Sequence, residues 1–203
     1  MTDYSKLLNP EQCEAATAGD GPLLVLAAAG TGKTRTLVYR VAYLVERGER
    51  PDSLLLLTFT NRAAREMLER AKEVAGDAVG SLLSGTFHHV CNRFLRRFGD
   101  RLGYPNDFTI LDRDDSHALI DRCIKDTVRN KKDFPKKDVM SSLIGSAANR
   151  ACDIEDVLEQ TVQDLRVDPM EIIKVANLYA ERKRAMGAMD FDDLLVNGLR
   201  LLV

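Results

Sequence analysis

The 203-residue chain lacks several features, and each absence narrows its class. No apolar run approaches the roughly 18 residues that a membrane-spanning helix requires, so a helical membrane protein is excluded. The stretch from Met1 to Gln12 carries no basic-then-apolar leader, and the expectation is a chain that is not secreted and works in the cytoplasm. Only four cysteines occur, Cys13, Cys91, Cys123 and Cys152, widely spaced and with no C-x-x-C pair. A zinc site wants close ligand pairs and a disulfide scaffold wants a short, cysteine-dense chain, so reduced and mostly buried thiols are the expectation. Neither sign of charge dominates, with 29 Lys and Arg against 31 Asp and Glu and a net charge of −2. Any nucleic-acid surface must therefore be local. Internal repeats and low-complexity stretches are absent.

What is present is ordinary globular composition, 45% hydrophobic and 30% charged. Asn9-Pro10-Glu11-Gln12 reads as a helix start, with Asn9 as N-cap, Pro10 in the first turn and Gln12 closing a capping box. Gly21-Pro22 breaks that helix, and Leu23 to Ala27 is a continuous apolar run that predicts a strand buried on both faces. A turn from Ala28 to Gly32 leads into a helix from Lys33 to about Arg47. The cycle repeats with a buried strand at Leu54 to Phe59, a Thr60 N-cap and a helix from Asn61 to about Ala75 ended by Gly76. A third strand is predicted at Leu82 to Phe87, before a helix with Val90, Phe94, Leu95 and Phe98 on one face. This alternation predicts an α/β fold, a parallel sheet flanked by helices with right-handed crossovers.

After about Gly103 the pattern turns helical, apart from an extended piece at Phe108 to Leu111. Leu119, Ile120, Cys123, Ile124 and Val128 recur at helical spacing, as do Ile172, Ile173, Ala176 and Tyr179, which predicts an all-helical subdomain. Charge is uneven there. Residues 122–150 hold eight Lys/Arg against three Asp, net +5, and residues 151–171 hold one Arg against seven Asp/Glu, net −6. Such runs read first as solvated helix faces; the basic one is also the best candidate for touching a phosphate backbone.

The strongest chemical signal is Ala27-Ala28-Ala29-Gly30-Thr31-Gly32-Lys33-Thr34, a phosphate loop between an apolar run and a helix N-terminus. Backbone N–H groups in such a turn wrap a polyphosphate, and the helix dipole favours its charge. Gly30 and Gly32 allow close approach, Lys33 supplies a point charge for the β- and γ-phosphates, and Thr34 offers a hydroxyl to Mg²⁺. The usual pattern opens with Gly where this chain has Ala27. A nucleoside triphosphate ligand follows, but the loop alone names no reaction.

Five blocks in order, LNPEQ, AAAGTGKTRT, LLLLTFTNRAAREM, GTFHHVCNRFLR and MDFDDLL, resemble the N-terminal part of superfamily 1 DNA helicases of the UvrD/Rep/PcrA type. The similarity runs from Leu8 to Val203 and is looser in the helical half. The family also carries Ala at the Ala27 position. The resemblance implies a partial RecA-like domain at 1–88, a helical insertion at 89–188 and a returning helix at 189–203. It implies ATP and Mg²⁺ as cofactors, and single-stranded DNA and DNA junctions as partners. Ala28, Ala29, Gly30, Thr31, Gly32, Lys33 and Thr34 would hold the phosphates, with Lys33 and Thr34 catalytic and Thr34 the metal contact. Gln12 would read the adenine edge and Arg35 would pack near the base; on the residues alone Gln12 reads as a helix cap.

The resemblance further implies that Phe59, Thr60, Asn61 and Arg62, with Thr86, Phe87 and His88, line a single-stranded DNA path, where bases stack on aromatics. On the residues alone, Phe59 reads as core and His88 as a satisfied buried histidine. His89 is assigned no role. The acidic MDFDDLL block invites a metal reading, but Asp190 as N-cap with carboxylates in the first turn fits better. An acidic strand supplying a second Mg²⁺ ligand would follow within a few tens of residues after Leu195. None stands before Val203, so the expectation is an N-terminal part of a 3′-to-5′ DNA helicase that is not a working motor alone. The alternatives are a small P-loop kinase, a non-hydrolysing nucleotide- or DNA-binding module, and the helicase part of a helicase–nuclease.

Overall fold

The computed structural model describes residues 2–130, 132–161 and 167–203. Lys131 of the basic stretch, and Asp164 and Arg166 of the acidic one, lie outside the described residues. The chain divides into two compact units, residues 1–90 and 91–203. Among the described residues no helix is long and apolar enough to cross a membrane.

The first unit opens with α1 (Pro10–Thr17), whose capping box is complete: Asn9 Oδ1 accepts from the Gln12 amide and the Gln12 side chain accepts from the Asn9 amide. Next comes α2 (Lys33–Glu46), then β1 (Leu55–Thr58), α3 (Asn61–Ala75) and β2 (Leu83–Thr86). Thr60 caps α3 as its sequence predicts, its hydroxyl accepting from the Ala63 amide at 3.1 Å. β1 and β2 pair in parallel, Leu55 to Thr58 against Leu83 to Thr86. Val38, Val41, Leu56, Met67, Ala71, Val79 and Leu82 form the core beneath them.

Two strand expectations are corrected. Leu23 to Ala27 forms no strand, and Leu24 and Leu26 are 83% and 87% exposed. A strand needs a neighbour for its N–H and C=O groups, and β1 is hydrogen-bonded only to β2 among the described residues, so the apolar run has no ladder to join. The sheet is thus two-stranded. β1 is also not buried on both faces: Leu56 is buried, while on the other face Leu55 is exposed and Leu57 half-buried.

The second unit begins within α4 (Phe87–Phe98) and continues through β3 (Thr109–Ile110), α5 (Arg113–Thr127), α6 (Lys137–Arg150), α7 (Ile154–Thr161), α8 (Pro169–Ala185), β4 (Ala188–Met189) and α9 (Phe191–Leu202). The extended piece near Phe108 is real, and its partner is β4, parallel, with Thr109 opposite Ala188 and Ile110 opposite Met189. Leu119, Ile120, Cys123, Ile124 and Val128 all enter the main core with Ile172, Val175 and Tyr179. All four cysteines are free, but only Cys123 is buried, correcting the expectation of mostly buried thiols. Burial raises the Cys91 and Cys123 thiols above their ordinary range.

The acidic block caps α9 as anticipated, Asp190 and Asp193 forming a second capping box. The structure adds a buried cation. Lys183 on α8 is 5% exposed and its Nζ lies 2.5 Å from both Asp190 Oδ2 and Asp193 Oδ2, while the Tyr179 hydroxyl donates to Asp190 Oδ2 at 2.9 Å. Burial acts to lower the Lys183 ammonium, yet the two carboxylates hold it above its ordinary value. Burial likewise opposes ionisation of Asp190, and Lys183 overrides it, keeping that carboxyl below its ordinary range; burial and the neighbouring Asp190 charge push Asp193 up.

Lys183→Ala leaves two buried carboxylates without a cation, and the α8 and α9 amides should lose about 3–5 kcal/mol of native-state hydrogen-exchange protection at pH 7. Asp190, lowered on folding, contributes fully above its unfolded pKa of about 3.9 and loses that contribution as acid titrates it in the folded state; Lys183, raised on folding, contributes fully below about 10.4. The deficit of the variant should therefore be constant near neutrality and shrink towards pH 3. Unchanged protection would show that the ion cluster does not hold α8 to α9.

Candidate nucleotide and nucleic-acid site

The loop from Ala27 to Thr34 takes its shape from two glycines in the left-handed region, Gly30 at φ 80° and Gly32 at φ 87°. Gly32 is also the N-cap of α2, so the chain turns from loop into helix at a residue that cannot carry a side chain without strain. Space imposes the same restriction. A Cβ on Gly32 would stand 2.6 Å from Gln12 Nε2. Within the loop, the Thr31 hydroxyl donates to the Ala28 carbonyl at 2.8 Å, and Lys33 Nζ donates to the carbonyls of Ala27 and Ala28 at 3.1 and 2.7 Å. The ammonium is thereby folded over the turn. Thr34 follows, half-buried in the first turn of α2.

Gln12 reaches this loop from α1. Its Nε2 donates to the Thr31 carbonyl at 2.8 Å while its Oε1 accepts from the Asn9 amide at 3.3 Å. An amide has two donor hydrogens and two acceptor lone pairs, so one of each remains for a ligand. Capping and ligand reading are therefore compatible in one side chain. Arg35 points to the segment before α1, donating to the Leu7 carbonyl at 2.7 Å with its guanidinium 5.7 Å from the Tyr39 ring centroid. A cavity of about 550 Å³ is lined by Gln12, Ala27, Ala28, Thr31 and Lys33. Leu23, Val25, Leu26 and Leu37 complete its wall, an apolar side that spacing did not assign to the site. The volume falls within the range of small-molecule pockets, which combine apolar walls with a few placed polar groups.

The second group of predicted residues gathers at the C-terminal ends of β1 and β2. Phe59 follows β1 and is 94% exposed, which overturns its reading as core. Phe87 follows β2 and is also exposed, and the two ring centroids stand 6.3 Å apart at 49°. Register explains the pairing, since Thr58 and Thr86 lie opposite each other in the ladder. Thr60 and Asn61 open α3, and the Thr86 hydroxyl accepts from the His89 amide at 3.2 Å. Arg62 is exposed and paired with Glu66 at 2.9 Å across one helical turn, a solvent-screened pair that holds the guanidinium only weakly. His88 is half-buried rather than fully buried. Among the described residues no cluster of three or more His, Cys, Asp or Glu side chains could hold a metal. The donor set beside the loop, one Thr34 hydroxyl, suits a magnesium ion that keeps nucleotide oxygens and water as its other ligands.

Comparison with known proteins places the chain among its relatives. A family model described as the UvrD/REP helicase N-terminal domain matches residues 8–203. The ATP-dependent DNA helicase PcrA of Staphylococcus aureus is 36% identical over 195 residues, covering 96% of this chain and 26% of the relative. The protein of that name from Bacillus subtilis is 37% identical over 202 residues, with coverage of 96% and 26%. That from Staphylococcus epidermidis is 35% identical over 207 residues, with coverage of 99% and 27%. The chain spans about a quarter of the length of the curated relatives it matches.

Gly32→Ala combines positive-φ strain with a contact too short to keep, and should weaken binding of a fluorescent triphosphate analogue by at least about tenfold, the equivalent of about 1.4 kcal/mol. Unaltered affinity would mean that the loop does not hold the phosphates in this form.

Proposed function

The chain belongs to the UvrD/REP helicase N-terminal domain family, and from that premise we propose that it forms the ATP-binding and strand-contacting part of an ATP-dependent DNA helicase that tracks single-stranded DNA 3′ to 5′ and acts at duplex junctions. The observation that carries this reading is the pair of exposed rings, Phe59 and Phe87, in the same unit as a glycine-shaped phosphate loop. Leaving two aromatic rings in water at the end of a sheet costs burial energy that a base stacked on them would recover.

In this reading the amides of Ala28 to Gly32 receive the β- and γ-phosphates. Lys33 trades its bonds to Ala27 and Ala28 for phosphate oxygens. Gln12 offers its remaining N–H and lone pair to the edge of adenine, and Arg35 lies against the base. The Thr34 hydroxyl would be the protein's contact to a magnesium ion, which would supply positive charge to the phosphates. Thr60, Asn61, Arg62, Thr86 and His88 flank the rings and take the sugar-phosphate backbone. Residues 1–88 act as the first motor domain, 89–188 as its helical insertion and 189–203 as the return. Turnover, translocation and unwinding are activities we assign to the whole protein, in the cytoplasm.

Fluorescence anisotropy with oligo-dT tests the strand contact. Phe59→Ala and Phe87→Ala should each cost about 1–3 kcal/mol of binding, with little change in salt dependence because no phosphate contact is removed. Equal binding by wild type and both variants would contradict the stacking role, and a loss confined to the salt slope would move the contact to the backbone.

A further inference from the structure

Arg40, halfway along α2, is used by none of the assignments above, yet it makes three hydrogen bonds to the end of α1 and the residues just after it. Its Nη1 donates to the carbonyls of Ala16 and Ala18, and its Nη2 to that of Gly19 at 3.1 Å. Ala16 lies in the last turn of α1, Ala18 is its C-cap and Gly19 follows the cap, so the guanidinium holds the point where the helix ends. That end needs its carbonyls satisfied, because the last turn of α1 contains no basic residue of its own and the final ones have no partners within the helix. A guanidinium there also meets the negative end of the helix dipole.

α1 depends on its contacts with α2 for its stability. It is eight residues long, far below the length at which an isolated helix is stable, and its only buried residue is Ala16. Its attachment to α2 therefore rests on its two ends and on a small cluster in which Ala16 and Cys13 join Tyr4, Leu8, Tyr39 and Tyr43. At the N-terminal end, Gln12 Nε2 meets the Thr31 carbonyl and Arg35 holds the carbonyl of Leu7 just ahead of the helix. At the C-terminal end stands Arg40, itself 5.8 Å from the Tyr43 ring centroid. The phosphate loop takes one bond from α1, Gln12 to the Thr31 carbonyl, but its turn is closed by bonds internal to it, Thr31 to Ala28 and Lys33 to Ala27 and Ala28.

We propose that Arg40 is a positioning residue for base recognition: by clamping the C-terminal end of α1 it fixes Gln12 at the nucleotide cavity, so that selection of adenine, and not the grip on phosphate, depends on it. The proposal rests on the nucleotide reading above. An amide placed this way complements the N–H donor and ring-nitrogen acceptor of adenine and opposes the two acceptors that guanine presents at the same edge.

Calorimetric titration of the chain with Mg-ATP, Mg-GTP and Mg-tripolyphosphate separates the possibilities, using wild type, Arg40→Ala, Arg40→Lys, Gln12→Ala and the Arg40→Ala/Gln12→Ala double variant. Arg40→Ala should weaken ATP by about tenfold and bring the ATP-to-GTP ratio to that of Gln12→Ala, with tripolyphosphate held within about twofold of wild type. The double variant should be no weaker than Gln12→Ala alone, since both substitutions remove one device. Arg40→Lys keeps a cation but not the fork and should fall between wild type and Arg40→Ala. An unchanged ATP-to-GTP ratio in Arg40→Ala would overturn the proposal, as would an equal loss for all three ligands, which marks general destabilisation. A wild-type chain that takes up none of the three would overturn the nucleotide reading itself, and the role of Arg40 with it.

Discussion

The constraint that organises the first unit is the turn from Ala27 to Thr34, which must leave backbone amides open while keeping its own carbonyls satisfied. Two positive-φ glycines make the curvature possible, and the Lys33 ammonium and Thr31 hydroxyl occupy the carbonyls that the turn would otherwise expose. Gly32 does two jobs at once, starting α2 and leaving room for Gln12. A side chain at that position would be strained by the positive φ and would push the Gln12 amide off the Thr31 carbonyl. Sequence, local torsion and site geometry therefore meet at one residue.

Phosphate loop and exposed rings share a physical logic. In each, a group that a folded chain would ordinarily cover or satisfy is left for something outside it: amides at a helix N-terminus, and the faces of Phe59 and Phe87 at the ends of paired parallel strands. The second unit has the opposite character. Its polar cluster, Lys183 with Asp190, Asp193 and Tyr179, is closed upon itself and buried, and it joins α8 to the cap of α9. Buried charge of that kind stabilises only as a complete set, which suits a scaffold.

Much of this was legible in the residues. Asn9 with Gln12, Thr60 with Ala63, and Asp190 with Asp193 are local devices, encoded within four positions, and each forms as its spacing predicts. The helical repeat of Leu119 to Val128 maps onto the core directly. The failures are non-local. Leu23 to Ala27 has the composition of a central strand, but composition cannot supply the neighbouring ladder that turns an apolar run into one. β4 is two residues long and exists only because Thr109 and Ile110 lie beside it. Lys183 sits seven and ten residues from its carboxylates, and Arg40 lies more than twenty from the carbonyls it serves, separations at which spacing rules carry no information. Hydrophobicity alone argued for burial of Phe59, and the ring is exposed, because a single apolar residue after a strand does not say which side of it the chain covers.

The account stands on the loop's capacity to take up a triphosphate. Isothermal titration of the folded chain with Mg-ATP, beside Lys33→Ala of equal helical content by circular dichroism, measures this most directly. Saturable one-to-one binding by the wild type that disappears in Lys33→Ala is the predicted result. A folded wild-type chain that releases no heat and displaces no fluorescent nucleotide, or a Lys33→Ala chain that binds as tightly as wild type, would contradict it.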